Sequence, residues 1–203
     1  MKAILAPAFA ILLGAGACLS YPPQSDRPSP GKSSKQAAYD GDWWFSANSD
    51  TRSGYFWGAD DCLVWSAHVK GFWGSSDAFD DFVTKFYETH PTEKKLPVVE
   101  AWRGATARTR PPEDTPGGEV WTNPHGFLNG SWYRQSSYDE RIGFLEGYIG
   151  CLRTYVKEPT ESYSRQPGYY DDNIWDYIDT HPKAYNEPIA TMLARYRDKL
   201  KPQ

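Results

Sequence analysis

The chain has 203 residues but only four His, three Cys and two Met, so the side chains that most often carry metal, redox or acid–base chemistry are scarce. No Lys/Arg-rich run appears, and the formal net charge of −4 works against the basic face a nucleic-acid partner needs, so no nucleic-acid binding is expected. Also absent are a Gly-x-Ser-x-Gly elbow, a phosphate-cradling glycine loop, a His-Glu-x-x-His pair, a Cys/His nucleophile pairing and a zinc-spaced cysteine set. No cofactor is therefore called for. The apolar run from Ala3 to Leu13 is too short to span a bilayer as a stable anchor.

What the chain has in excess is rings. Sixteen per cent of it is aromatic, with nine Trp, so its cores and surfaces are built from large flat side chains that also suit ligand stacking. At 39% hydrophobic residues it can bury one good core or two small ones.

Residues 1–17 have the layout of an export signal, with Lys2 ahead of the apolar run and Ala15-Gly16-Ala17 as a small-x-small cleavage site. Cleavage there leaves Cys18 first, where a bacterial lipoprotein carries its lipid. Ala15 stands where such signals usually have Leu, so lipid attachment at Cys18 and release of an unlipidated chain both fit. Residues 18–38, rich in Pro and Ser, read as a flexible tether. An oxidising destination favours disulfides, and Cys62 and Cys151 then remain as a pair, with two buried thiols as the alternative.

The sequence repeats itself. At an offset of 89, Gly41, Trp43, Asp50, Arg52, Gly54, Gly58, Cys62 and Leu63 match Gly130, Trp132, Asp139, Arg141, Gly143, Gly147, Cys151 and Leu152 without a gap. We therefore expect an all-α protein of two pseudo-symmetric three-helix units, 39–105 and 129–203, joined by a Pro/Gly-rich linker over 106–128. In each unit an aromatic entry segment, Asp40 to Trp44 or Asn129 to Tyr133, leads into a helix with Gly, Gly and Cys at i, i+4 and i+8. Ser137 and Glu140 form a capping box for the second copy, and Ser49-Asp50 a plainer cap for the first. Glycine costs an exposed helix interior up to about 1 kcal/mol against Ala, so these glycines imply close backbone approach, with the two stripes meeting and Cys62 near Cys151.

The next helix in each unit is amphipathic. Phe79, Phe82, Val83, Phe86 and Tyr87 share a spacing with Tyr170, Asn173, Ile174, Tyr177 and Ile178, now at an offset of 91. An Asp-Asp pair, Asp80-Asp81 or Asp171-Asp172, is read as its start, and Thr-His-Pro, at Thr89 or Thr180, as its end. A third helix follows Pro97 or Pro188.

Several residues are candidates for chemistry or binding. His90 and His181, each sharing a unit with an Asp-Asp pair, could hold a metal for a hydrolase; each equally suits the end of a helix, where an imidazolium complements the dipole. Asp60-Asp61 replaces Ile149-Gly150 of the other unit and reads as a charged groove, a general base of raised pKa or, in the plainest case, a solvated face. Trp43, Trp44, Trp57, Trp73 and Trp132 would serve a glycan- or peptidoglycan-binding module.

The segments Gly143-Phe144-Leu145-Glu146-Gly147-Tyr148-Ile149-Gly150 and Ile174-Trp175-Asp176-Tyr177-Ile178-Asp179-Thr180-His181-Pro182, followed by Glu187-Pro188-Ile189-Ala190, resemble the Rap/Tai family of periplasmic immunity proteins. The likeness covers roughly 70 residues of the second unit well and touches the first through Gly54, Gly58 and Thr89-His90-Pro91. It implies a small all-helical inhibitor of amidase toxins delivered by type VI secretion, hence an envelope protein with a protein partner and no catalysis of its own. The family usually has one such unit per chain, and Cys151 falls where no family cysteine is expected.

Overall fold

A computed structural model describes residues 39–68, 71–72, 75–107 and 128–198. The signal segment 1–17, Cys18, the tether, Trp73 and linker residues 108–127 lie outside the described residues. Within them the chain is all-α, with eight α-helices: α1 (Gly41–Ser46), α2 (Ser49–Trp65), α3 (Ser76–Thr89), α4 (Val98–Ala107), α5 (Gly130–Gln135), α6 (Tyr138–Cys151), α7 (Pro167–Thr180) and α8 (Ile189–Arg195). The aromatic entry segments are thus short helices themselves. Asp40 caps α1 by accepting the amides of Asp42 and Trp43, and Asn129 caps α5 by accepting those of Ser131 and Trp132.

At the centre α2 and α6 lie side by side and parallel. As α2 advances from Gly54 to Gly58, its nearest neighbour on α6 advances from Glu140 to Phe144. The backbones touch: a Cβ added at Gly54 would strike the carbonyl oxygen of Glu140, and one at Gly58 that of Phe144. Gly143 and Gly147 stand in the same relation to the carbonyl oxygens of Thr51 and Tyr55. At the far end of this seam Cys62 and Cys151, both fully buried, form a disulfide with a Cα–Cα distance of 6.1 Å. At the near end the two positive helix N-termini meet, which alone would be unfavourable. Acid side chains offset it: Asn48 donates to Asp139 at 2.7 Å, and Ser137 donates to Asp50 at 3.1 Å.

The caps refine the sequence reading. Ser137 and Glu140 form the expected capping box, but α2 is capped by Asn48, which accepts the amide of Thr51, rather than by Ser49-Asp50. Helix α3 starts behind Ser75 and α7 behind Gln166, so Asp80 and Asp171 sit a full turn inside their helices and cannot serve the first-turn dipole role expected of the Asp-Asp pairs. Both helices end at the Thr of Thr-His-Pro. Helix α4 runs to Ala107, two residues into the expected linker.

Around the seam, α3 and α4 cover one flank with rings. Phe72 lies 4.4 Å from Trp102 and 4.8 Å from Phe79, centre to centre, and Phe56 packs 5.2 Å from Phe79. Helices α5, α7 and α8 cover the other with Tyr133, Tyr170, Ile174, Ile178, Ile189, Met192 and Leu193, all fully buried or nearly so. On each flank an arginine of the seam helix reaches an aspartate of the amphipathic one. Arg141 Nε bonds Asp171 at 2.7 Å, and Tyr133 donates its phenol to the same carboxylate at 2.8 Å, with arginine and aspartate buried. Arg52 pairs with Asp80 at 3.1 Å in a more open setting. Helix α6 ends in a π-helical turn, Leu152–Val156, closed by Lys157 in the left-handed region. Lys157 and His68, which lies 89 residues earlier, are the two described non-glycine residues with positive φ.

Candidate functional site

Of the polar candidates from the sequence, Asp60 and Asp61 are held inside, whereas His90 is partly exposed and His181 exposed. Asp60 and Asp61 are buried, which overturns the solvated-face reading. Asp60 Oδ1 accepts the amide of Phe72 at 2.5 Å, and Asp61 Oδ2 accepts that of Leu128 at 3.1 Å. Each carboxylate therefore anchors a segment that enters the core. Burial raises the Asp60 carboxyl to about 6, opposed in part by the Phe72 amide.

The tryptophans divide. Trp44 is fully buried, its indole donating to Thr84 Oγ1 at 2.9 Å, so it cannot stack on a glycan. Trp43, Trp57 and Trp132 are partly buried and packed against the core. Among the described residues, the large rings that face solvent are others, Phe45, Trp65, Tyr138, Tyr169 and Tyr185. Composition counts rings and cannot say which of them a helix turns outward.

His90 and His181 occupy matching positions. Each caps the end of its helix and stacks on the ring one turn back, Phe86 at 4.7 Å and Tyr177 at 4.3 Å. Each Nδ1 lies 3.0 Å from that residue's carbonyl oxygen and 2.9 Å from the preceding threonine hydroxyl. Among the described residues no group of three or more His, Cys, Asp or Glu side chains is placed to hold a metal.

One strongly perturbed carboxyl is a residue that sequence reasoning passed over. Glu146, on the α6 seam helix, is partly buried, and its Oε2 is sealed from solvent with no hydrogen-bond partner. Burial pushes its carboxyl up to about 8, opposed in part by the nearby Trp43 side chain. One turn on, Gly150 has no side chain, and the ring of Tyr39 takes the space; a Cβ there would lie 3.1 Å from Tyr39 Cδ2. The next residue on that face, Arg153, donates from Nη2 to the Tyr163 carbonyl at 2.8 Å and leaves Nε buried without a partner. Tyr39 also packs against Trp43 at 5.5 Å and Tyr55 at 6.0 Å. Burial and the neighbouring Glu146 raise the Tyr39 phenol well above its ordinary range. The signal that could have found this cluster is the mismatch at an offset of 89, where Glu146 answers Trp57 and Gly150 answers Asp61.

The mismatches fall at one structural event. The residue that leads into each entry helix contacts the opposite long helix: Tyr39 lies on Gly150 of α6, and Leu128 bonds Asp61 of α2. Their carbonyls do the same job, Tyr39 accepting the amide of Val98 at 2.8 Å and Leu128 that of Ile189 at 3.0 Å. One entry is held by a buried aspartate that accepts its amide, and the other by a ring seated on a glycine.

Comparison with protein-family models, curated proteins and solved structures finds no match to this chain. Among the described residues no helix is long and apolar enough to cross a membrane.

Proposed function

We propose that the protein is a non-enzymatic binding protein of the cell envelope, built as two copies of one helical unit, and that its concrete task is to inhibit a peptidoglycan amidase. The observation that carries the binding reading is the division of side chains. The acids and histidines that the sequence offered for chemistry are spent on anchors and caps, whereas among the described residues five large rings stay on the surface. Rings of this kind supply most of the energy of a protein interface at little entropic cost.

Three further observations support the rest. A buried disulfide suits a chain sent to an oxidising compartment, in keeping with the signal-like residues 1–17. The tandem reading draws on cap, histidine and positive-φ positions that recur at offsets of 89 or 91. A seam locked by glycines and a disulfide is a rigid body, and rigidity lowers the cost of binding. The amidase as partner rests on the Rap/Tai resemblance, and attachment through a lipid on Cys18 on the sequence around it.

The test is an amidase encoded beside this gene. With the purified chain added at equal concentration, its release of stem peptides from isolated peptidoglycan should stop, and the two proteins should elute together in size-exclusion chromatography. Undiminished hydrolysis with separate elution would refute the amidase reading. Substituting the exposed rings to Ser should weaken the complex and leave the melting temperature unchanged.

A further inference from the structure

Five large rings are exposed among the described residues, and each answers a non-aromatic residue in the offset comparison. At 89, Phe45, Trp65 and Tyr138 answer Arg134, Thr154 and Ser49; at 91, Tyr169 and Tyr185 answer Ala78 and Lys94. The positions match in the fold as well. Tyr138 and Ser49 each follow directly on the cap of a seam helix, and Tyr169 and Ala78 each stand three residues past the cap of an amphipathic one. Helices of both kinds are thus built without a ring at that place, so folding does not demand one there.

Tyr138 and Tyr169 come together. The Tyr138 hydroxyl reaches α7, 3.4 Å from where a Cβ on Gly168 would lie, and Tyr169 is the next residue. Trp65 lies at the opposite end of the seam, about 24 Å along its axis, and Phe45 already lies under the Lys94 ammonium at 5.4 Å. Each tyrosine takes a cation of its own chain, Arg141 over Tyr138 at 5.7 Å and Arg165 over Tyr169 at 5.6 Å. Those cations are answered by acids, Arg141 by buried Asp171 at 2.7 Å and Arg165 by Asp198 at 4.0 Å. The acids at the rim keep their charge. Asp50 and Asp139 take neutral donors, Ser137 and Asn48, and together with Glu140 they outweigh the half charges of the two helix ends. Asp176, two turns beyond Tyr169 on the same exposed face of α7, adds a further carboxylate where the counterpart is Lys85.

Resting on the binding reading above, we propose that the face formed by Tyr138 and Tyr169 is where this chain holds its protein partner, and that the partner brings a Lys- or Arg-bearing segment to it. Tyrosine ring faces attract a cation. The surrounding carboxylates steer a cationic segment in and turn an acidic competitor away. Both rings stand on fixed ground: Tyr138 opens the helix held by the glycine seam, and Tyr169 belongs to the helix whose Asp171 holds Arg141. Little order is therefore lost when a partner docks.

Amide NMR shifts of the intact chain, taken at low salt with tetra-lysine and then with tetra-glutamate, locate the cation-binding face. Tetra-lysine should move the signals of Tyr138, Tyr169 and Asp176 and leave those of Ala78 and Lys85 in place; tetra-glutamate should move neither set. The triple variant Tyr138→Ser, Tyr169→Ala, Asp176→Lys installs the residues found at the matching positions, so it should fold with its melting temperature unchanged. It should bind tetra-lysine, and the amidase of the proposed function, weaker by roughly tenfold or more. Shifts spread evenly over the surface, or centred on α3, would overturn the face. So would an amidase that binds the variant as tightly as the wild type, a result that leaves the amidase reading standing. Localised tetra-lysine shifts with no amidase bound would support the face and sink the amidase reading alone. If the triple variant does not fold, Asp176→Lys, a single exposed exchange, takes its place in both measurements.

Discussion

Replacing Gly58 with Ala places a methyl group on the carbonyl oxygen of Phe144, with that residue's Cα 2.9 Å away. Two effects compete. In a solvent-exposed helix the change is favourable by up to about 1 kcal/mol. Here the obstacle is the backbone of another helix, which cannot rotate aside as a side chain does, and the disulfide near the end of the seam resists separation. Overpacking costs of about 1–3 kcal/mol apply to sites where side chains can adjust, so the upper end is expected and the net loss is about 2 kcal/mol. For a domain of this size that lowers the melting temperature by about 4–8 °C. Gly168→Ala is the control: its Cβ would meet the Tyr138 hydroxyl at 3.4 Å, an ordinary contact, so the propensity gain should prevail. Thermal unfolding by circular dichroism, with the disulfide intact, measures both. Gly58→Ala combined with Gly147→Ala should cost less than the sum of the two, because helices parted for one methyl have made room for the next. A Gly58→Ala protein that melts at or above wild type would refute the close-packed seam.

Asp171→Ala should cost about 3–5 kcal/mol in urea unfolding, because it leaves Arg141 buried without its carboxylate; Asp80→Ala, which frees the more exposed Arg52, should cost about 1 kcal/mol or less. Replacing Cys62 and Cys151 together with Ala should lower stability by about 4 kcal/mol, since the bridge joins residues 89 apart, and reductant should add nothing further in that variant. Glu146 gives stability a distinctive pH dependence. Its carboxyl lies at about 8 when folded against an ordinary 4.5, so the folded state binds the extra proton in that window. Its contribution is complete below 4.5 and is lost as pH rises towards 8, at up to about 1.4 kcal/mol per pH unit; urea midpoints measured across the window should flatten in Glu146→Gln.

The helical class was legible because amphipathic spacing survives in a single sequence, as at Phe79, Val83 and Phe86, and because Thr-His-Pro marks a helix end by a steric rule. The glycine stripes were legible for a thermodynamic reason: four glycines inside helices need compensation, and close approach supplies it. Helices α1 and α5 escaped notice because six residues are too few to show a period. The starts of α3 and α7 were misplaced because acidic pairs suit a helix N-terminus, yet Asp80 and Asp171 are claimed by arginines from another helix. The same limit hid the buried roles of Asp60, Asp61 and Glu146, since a sequence shows that a residue is polar but not what lies across from it.

The exchange of residues between the two long helices explains why the offset comparison still pointed near the right place. If Gly150 carried the carboxylate of its counterpart Asp61, the ring of Tyr39 could not lie there, because even a Cβ would come within 3.1 Å of it. If Asp61 were Gly, the amide of Leu128 would lose its buried acceptor at 3.1 Å. Each helix therefore carries the residue that suits the entry segment crossing to it, and the two cannot be swapped. Glu146 belongs to the same division, for its counterpart Trp57 brings a ring to a position where α6 brings an acid. The positions that recur at an offset of 89, glycines and cysteines, hold the two long helices together; the residues that do not recur decide how each entry is held, one by the Asp61 acceptor and the other by a ring on Gly150.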